Sequence, residues 1–186
     1  MPLPLIPRSP RAASGQVWHL RRKPGMDRSR GLLAAHGKAI ACRIGRNGIT
    51  ARKREGDGCT PSGLLAVVGG YRHPVRPGIS PCSGRLLAVA ADLGWCDEPS
   101  HPCYNRPVRR PFGSSHEFML REDGLYDICL VLDWNLSPRQ RGRGSAIFVH
   151  LTGSGGKGTE GCIAIAAADM RRLLPAMLRR RIRVHA

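Results

Sequence analysis

Glycine and proline punctuate this chain so densely that long regular elements have little room. Gly 23 and Pro 15 make up about a fifth of its 186 residues, without the period of a collagen. What remains between them are short apolar runs of the kind that form strands. Leu32 to Ala35, a turn at His36-Gly37 and Ala39 to Ile44 read as a β-hairpin. Leu64 to Val68, Leu125 to Leu132, Ala146 to Leu151 and Cys162 to Ile165 read as further strands. One helix is expected near the C-terminus, where Met170, Leu173, Leu174, Met177 and Leu178 recur at helical spacing and Pro175 kinks or ends it. Ile182 and Val184 alternate with Arg183 and His185, as in a final edge strand. The expected fold is mainly β with that single helix. Residues 69–116 show little periodicity and read as a long decorated loop, the kind that serves as a lid or wall. The proline- and arginine-rich residues 1–30 read as a disordered leader, leaving 31–186 as one domain.

Charge narrows the partners. The formal net charge is +17. Residues 1–54 hold thirteen Lys/Arg against one acid, Asp27, and Arg171 to Arg183 adds six arginines against none. Such ends attract nucleic acid, anionic lipid or acidic wall polymers. Aromatics are only 5% and scattered, so a specific nucleic-acid module, with its stacking platforms, is not indicated. No stretch approaches the roughly 20 apolar residues of a membrane span. The basic N-terminus lacks the apolar core of a signal peptide, and Arg21-Arg22 is followed by Lys-Pro-Gly rather than by an apolar run.

Seven cysteines stand at 42, 59, 82, 96, 103, 129 and 162, none of them in Cys-x-x-Cys spacing. Cys96, His101 and Cys103 lie close together but match no common zinc pattern, so neither a metal nor a cofactor is expected. The chemical signal lies elsewhere. His150 ends one strand, and twelve residues later, after a Gly-rich loop, Cys162 opens the next. Consecutive elements usually lie side by side, which brings imidazole to thiol. An adjacent imidazolium would favour the reactive thiolate over a free thiol of pKa about 8.5. Backbone N–H groups of the loop glycines and of Cys162 offer an oxyanion hole. The same loop has the composition of a P-loop but not its order, since Gly158 follows Lys157 where Ser or Thr is required, and it leads into a strand.

The stretch Gly144-Ser-Ala-Ile-Phe-Val-His150, followed by Thr159-Glu-Gly-Cys162, resembles the signature of the L,D-transpeptidase (YkuD-type) catalytic domain. Other fragments resemble its compact proteobacterial branch, in the same order along the chain: Lys53-Arg-Glu-Gly-Asp-Gly-Cys-Thr-Pro-Ser-Gly63, Gly94-Trp-Cys-Asp-Glu-Pro99, Tyr104-Asn-Arg-Pro-Val108 and Tyr126-Asp127. The resemblance implies a β-sandwich-like domain acting on peptidoglycan stem peptides. Cys162 would attack a stem-peptide carbonyl to form a thioester, and an amine of a second stem would take the acyl group, making a 3–3 or a 1–3 cross-link. His150 would act as base, oriented by a backbone carbonyl or small residue, for which Thr159 and Gly161 are the candidates. Glu160, Asn135, Tyr126 and Trp134 would contact substrate. The Lys53–Gly63 run reads first as a turn and second as cleft lining, and Trp95 first as core. This chain departs from many members in having Glu160 where they carry a His and Ile163-Ala164-Ile165 where an Arg follows the nucleophile. The same thioester serves an L,D-carboxypeptidase or amidase, with water as acceptor. The contrasting reading is a non-catalytic, basic polyanion-binding protein on a degenerate fold. The implied substrate places the enzyme in the periplasm or cell envelope, with the basic surface available to anionic wall polymers.

Overall fold

The computed structural model describes residues 17–76, 86–137, 139–153 and 155–186, so Cys82 lies outside the described residues. The expected hairpin is present as β2 (Arg30–Ala35) and β3 (Lys38–Arg43), paired Ala35 to Lys38 onward. His36 and Gly37 between them both have positive φ, 49° and 72°. Such two-residue turns match the right-handed twist of the flanking strands. Leu33 and Ala35 on one strand, and Ile40 and Cys42 on the other, turn inward.

From this hairpin the sheet extends both ways until it meets itself. On one side β2 pairs antiparallel with β1 (Trp18–Arg22), and β1 pairs parallel with β14 (Arg181–Val184). Strand β14 pairs antiparallel with β6 (Gly63–Arg72). On the other side β3 pairs with β13 (Ile163–Ile165), which runs parallel to β12 (Phe148–Leu151). Strand β12 pairs with β11 (Ile128–Leu132), and β11 pairs with β6, closing the circuit. Strand β7 (Leu86–Ala88) hangs on the far end of β6. The two-residue strands β4 (Ile49–Thr50) and β5 (Thr60–Pro61) pair separately and brace the loop between them. Inside the closed sheet lies one apolar cluster, built from Trp18, Leu20, Leu33, Leu65, Leu130, Val149, Ile163 and Ile182 among others. Helix α1 (Ala167–Met177) adds Met170, Leu173, Leu174 and Met177 to it. Pro175 sits inside the helix, which ends two residues later.

Three expectations need correction. Residues 1–16 lie outside the described residues, but from residue 17 the supposed leader is structure: β1 is an interior strand, with Trp18 and Leu20 fully buried. Likewise β14 is not an edge strand, since β1 flanks it on one side and β6 on the other. Each strand has half its side chains inward, and the strongly basic outward half hides the pattern. The third difference concerns residues 69–116. They contain the end of β6, strand β7 and most of a separate three-stranded sheet, β8 (Leu93–Cys96) between β9 (Arg106–Arg109) and β10 (His116–Phe118). Runs of three or four residues are too short to print a period of two.

This small sheet positions the site. It covers the outer face of β11 and β12, where Leu93, Trp95 and Met119 form a second cluster with Tyr126, Cys129, Val131, Phe148 and Cys162. Trp95 stacks edge-on against Phe148 with ring centroids 5.2 Å apart, and its N–H donates to Asn105 Oδ1 at 3.0 Å. Strand β11 is therefore buried on both faces, and every one of its residues is inside. Because β1 sits between β2 and β14, Trp18→Ala should cost about 3–5 kcal/mol. A urea titration of mutant and parent, compared at equal m-value, checks this.

Candidate active site

Strands β12 and β13 are parallel neighbours, and His150 lies opposite Ala164. Cys162 stands two residues before Ala164, so pleat alternation puts its side chain on the same face as His150. Side chains alternate along this segment: Phe148 joins the outer cluster with Cys162, whereas Ile147 and Val149 join the inner one. Both Cys162 and His150 are buried, at 8% and 6% exposure, and both line one cleft of about 640 Å³.

The thiol is held by backbone. Cys162 Sγ donates to Ala146 O at 3.1 Å and accepts from the Phe148 N–H at 3.3 Å. Ala146 reaches this position with φ of 51°, a left-handed conformation unusual for a residue with a side chain. Below the sulfur, Thr159 Oγ1 donates to Cys162 O at 2.6 Å and accepts the Gly161 N–H at 3.2 Å. Thr60 Oγ1 approaches the same carbonyl at 3.5 Å. Gly161 has φ of 143°, and a Cβ there would stand 2.8 Å from Cys59 O, so only glycine fits. Thr159 and Gly161 thus cradle the Cys162 backbone. They do not orient the histidine, as the sequence had suggested: His150 Nδ1 donates to Leu151 O at 2.8 Å, which leaves Nε2 as the unprotonated nitrogen.

Burial governs both ionisations. It pushes the Cys162 thiol up to about 12 and the His150 imidazole down to about 4. The resting pair is therefore neutral thiol and neutral imidazole, not the thiolate–imidazolium expected from adjacency alone. The imidazole is in the form that accepts a proton, and the thiol is protected until a substrate needs it.

The sequence profile of YkuD, the L,D-transpeptidase catalytic domain, matches residues 26–184. The chain belongs to this family. No curated protein and no solved structure matches it.

Within this L,D-transpeptidase domain the cleft is strongly acidic. Glu55, Asp97, Glu117, Asp123 and Glu160 line it, against Arg121 and Lys157, in a chain of formal charge +17. Tyr126, expected to touch substrate, does line the cleft and packs edge-on to His150, ring centroids 5.3 Å apart. Its hydroxyl donates to Glu117 Oε2 at 3.1 Å, and burial raises the Glu117 carboxyl although that bond and Arg121 pull the other way. Arg121 forks onto Asp123 and lies 5.1 Å over the Tyr126 ring. Glu160 lines the cleft rim, exposed and paired with Arg46.

Trp134 and Asn135 are not brought to the cleft. Trp134 Nε1 donates to Arg143 O at 2.8 Å, and the Asn135 amide donates to Gln140 O and Gly144 O, each at 2.9 Å. Both shape the loop that delivers Ala146 to the thiol. Sequence reading missed Asn105, which is buried. Its Oδ1 accepts from Trp95 and from the Ala146 N–H at 3.1 Å, and its amide donates to Trp134 O and Asn135 O. Its signal was present in the Tyr104–Val108 fragment, as a side chain with enough donors and acceptors to join three loops. Glu55 was also missed: its Oε2 accepts from the hydroxyls of Ser145 and Tyr104. Among the described residues, no cluster of three or more His, Cys, Asp or Glu is placed to hold a metal ion, and Cys96, His101 and Cys103 form no such group.

The depressed imidazole makes stability depend on pH. An unfolded histidine titrates near 6.5, above the folded value of about 4. Between these two the unfolded chain binds the extra proton, so the contribution is complete above about pH 6.5 and is lost as pH falls toward 4. His150→Phe should flatten the decline of the urea midpoint across that window. An unchanged slope would place the protonation elsewhere.

Proposed function

We propose that the domain is a cysteine-dependent peptidoglycan L,D-transpeptidase working through a thioester. The reading rests on one observation above the rest: a protected thiol and a base-competent imidazole share a walled cleft on adjacent strands. In this reading the stem-peptide carbonyl enters beside Cys162, and His150 Nε2 takes the thiol proton as sulfur attacks. The amide of Cys162 is our candidate oxyanion donor, since the Gly161 N–H is already held by Thr159. The leaving amine, D-Ala in the 3–3 reaction, departs with the proton from His150. An amine of a second stem, having lost its extra proton to solvent, then attacks the thioester and passes a second proton to His150, which returns it to the departing thiolate so that the free thiol is restored.

The acidic lining supports an amine acceptor. Carboxylates around the cleft draw an ammonium group and leave it close to the thioester, which favours transfer over hydrolysis. The same donor chemistry suits the carbonyl after diaminopimelate (3–3) or after L-Ala (1–3), and the assay separates the two by product mass. A cell-envelope location follows from this substrate. Anionic wall polymers are the partner proposed for the outward face of β1 and β14, which carries His19, Arg21, Arg181 and Arg183. No helix among the described residues is long and apolar enough to cross a membrane.

The decisive assay incubates the purified protein with disaccharide-tetrapeptide and follows products by mass spectrometry. Cross-linked dimer with release of D-Ala is expected, and Cys162→Ala should reduce it to background while circular dichroism stays unchanged. His150→Ala should slow turnover about 10²–10⁴-fold, the usual contribution of a positioned acid–base. Tripeptide without dimer would make the protein a carboxypeptidase. Folded protein giving neither product nor a Cys162 adduct would overturn the proposal.

A further inference from the structure

Lys53 is only 2% exposed, among the most deeply buried side chains of the molecule. Its ammonium pairs with Asp57 Oδ1 at 2.5 Å and donates to Arg54 O at 3.0 Å. Asp57 in turn caps its own loop, accepting the Arg54 N–H at 2.8 Å and the Cys59 N–H at 2.9 Å. Burying an ion costs several kcal/mol after relaxation, by order of magnitude, and one partner often fails to offset it. A turn of this kind needs no buried cation.

The path of the side chain gives the cation a use. Its stem runs under Gly144, where a Cβ would come within 2.9 Å of Lys53 Cγ and Cε. Its Nζ ends near Gly161, 3.5 Å from where a Cβ would be. These two glycines belong to the two loops that hold the nucleophile: one leads to Ala146, whose carbonyl takes the S–H bond, and the other leads directly into Cys162. The neighbouring Glu55 ties the same loop a second and third time, through its N–H to Gly142 O at 2.9 Å and its carboxylate to Ser145. Meanwhile His150 is neutral, so the charge that a thiolate would need is not on the imidazole before proton transfer.

We propose that Lys53 is the positioning residue of the nucleophile: its stem spaces the two loops that cradle Cys162, and its ammonium supplies positive charge beside the forming thiolate. The inference rests on Cys162 being the nucleophile, and it concerns what makes that sulfur reactive. It deepens the transpeptidase reading without depending on which stem peptide is used. The field of Lys53 at the sulfur acts in the required direction, opposing the effect of burial and of Glu117.

The test is the rate of Cys162 alkylation by iodoacetamide between about pH 7 and 9, well below the titration of the thiol at about 12, read at the Cys162 peptide by mass spectrometry. It needs no peptidoglycan, so it stands or falls apart from the cross-linking assay. Lys53→Met should slow alkylation about ten-fold at every pH in this range, because the thiolate is the reacting species and its fraction falls with the lost positive charge. Lys53→Arg, which keeps the charge, should restore most of the rate. Lys53→Gln serves as the neutral variant if Lys53→Met does not fold. An unchanged alkylation rate in a folded neutral variant would overturn the proposal, as would an arginine variant as slow as the neutral ones.

Discussion

The parallel pairing of β12 with β13 is the constraint on which the rest depends. Parallel neighbours cannot be joined by a tight turn; they need a crossover of a dozen or so residues. In most folds that crossover is a helix. Here it is the glycine-rich segment between His150 and Cys162, and it does two jobs. It returns the chain so that Cys162 starts beside the strand that carries His150, and it forms one wall of the cleft through Thr152, Gly153, Lys157, Thr159 and Glu160. The same pairing completes the closed sheet, since β13 continues to β3 and β12 to β11. Fold closure and assembly of the site are therefore one event.

Closure also explains why the pair rests uncharged. Strands β11 and β12 carry apolar clusters on both faces, and the β8–β9–β10 sheet seals the outer one. A thiol and an imidazole in such a place lose solvation, which raises one pKa and lowers the other. The thiol's partners, Ala146 O and the Phe148 N–H, suit a neutral S–H, since one accepts and the other donates. In the proposed mechanism reactivity would then come with the substrate, whose carbonyl would accept negative charge as the proton moved to His150. Adjacency of two residue types, which is all a sequence offers, does not reveal this. The degree of burial decides it, and burial comes from strands far away in the chain.

The same distinction separates what was legible from what was not. The β2–β3 hairpin, the helix and the alternation along β12 are local, and their residue types state them directly. The side-by-side placement of Cys162 and His150 was visible because a parallel crossover of their spacing leaves a signature in one short segment, reinforced by ordered family motifs. Strand β1 was not visible as structure, because its pairing with β14 joins residues such as His19 and Arg183 from opposite ends of the chain. Arginines on its outer face made it look like a solvated leader. The orienting group of His150 was missed for a different reason: Leu151 O is a backbone carbonyl, and any residue would supply it. Trp134 and Asn135 were misassigned because aromatic and amide side chains beside a site serve as readily to brace a loop as to hold a ligand. Here the bracing is explicit in their bonds to Arg143, Gln140 and Gly144.

Charge is arranged against the overall balance of the chain, and that arrangement bears on specificity. A protein this basic would by default repel an ammonium-bearing substrate and collect anions. Five of its carboxylates instead converge on the cleft, where low-dielectric walls focus their field. Arg121 tempers the cluster by forking onto Asp123 and lying over Tyr126, whereas Glu160 pairs with Arg46 at the rim. Screening acts unequally on these groups. Glu160 stands in solvent and its influence fades within a Debye length of about 8 Å at physiological salt, while the half-buried Glu117 keeps its reach to the reacting sulfur. Carboxylate near a thiol raises the energy of the thiolate, so in the proposed mechanism an acidic cleft would hinder the first chemical step even as it gathered the acceptor for the second. The buried Lys53 cation beside Gly161 would resolve that conflict, because it would offset the cost at the sulfur without neutralising the mouth through which an amine would arrive.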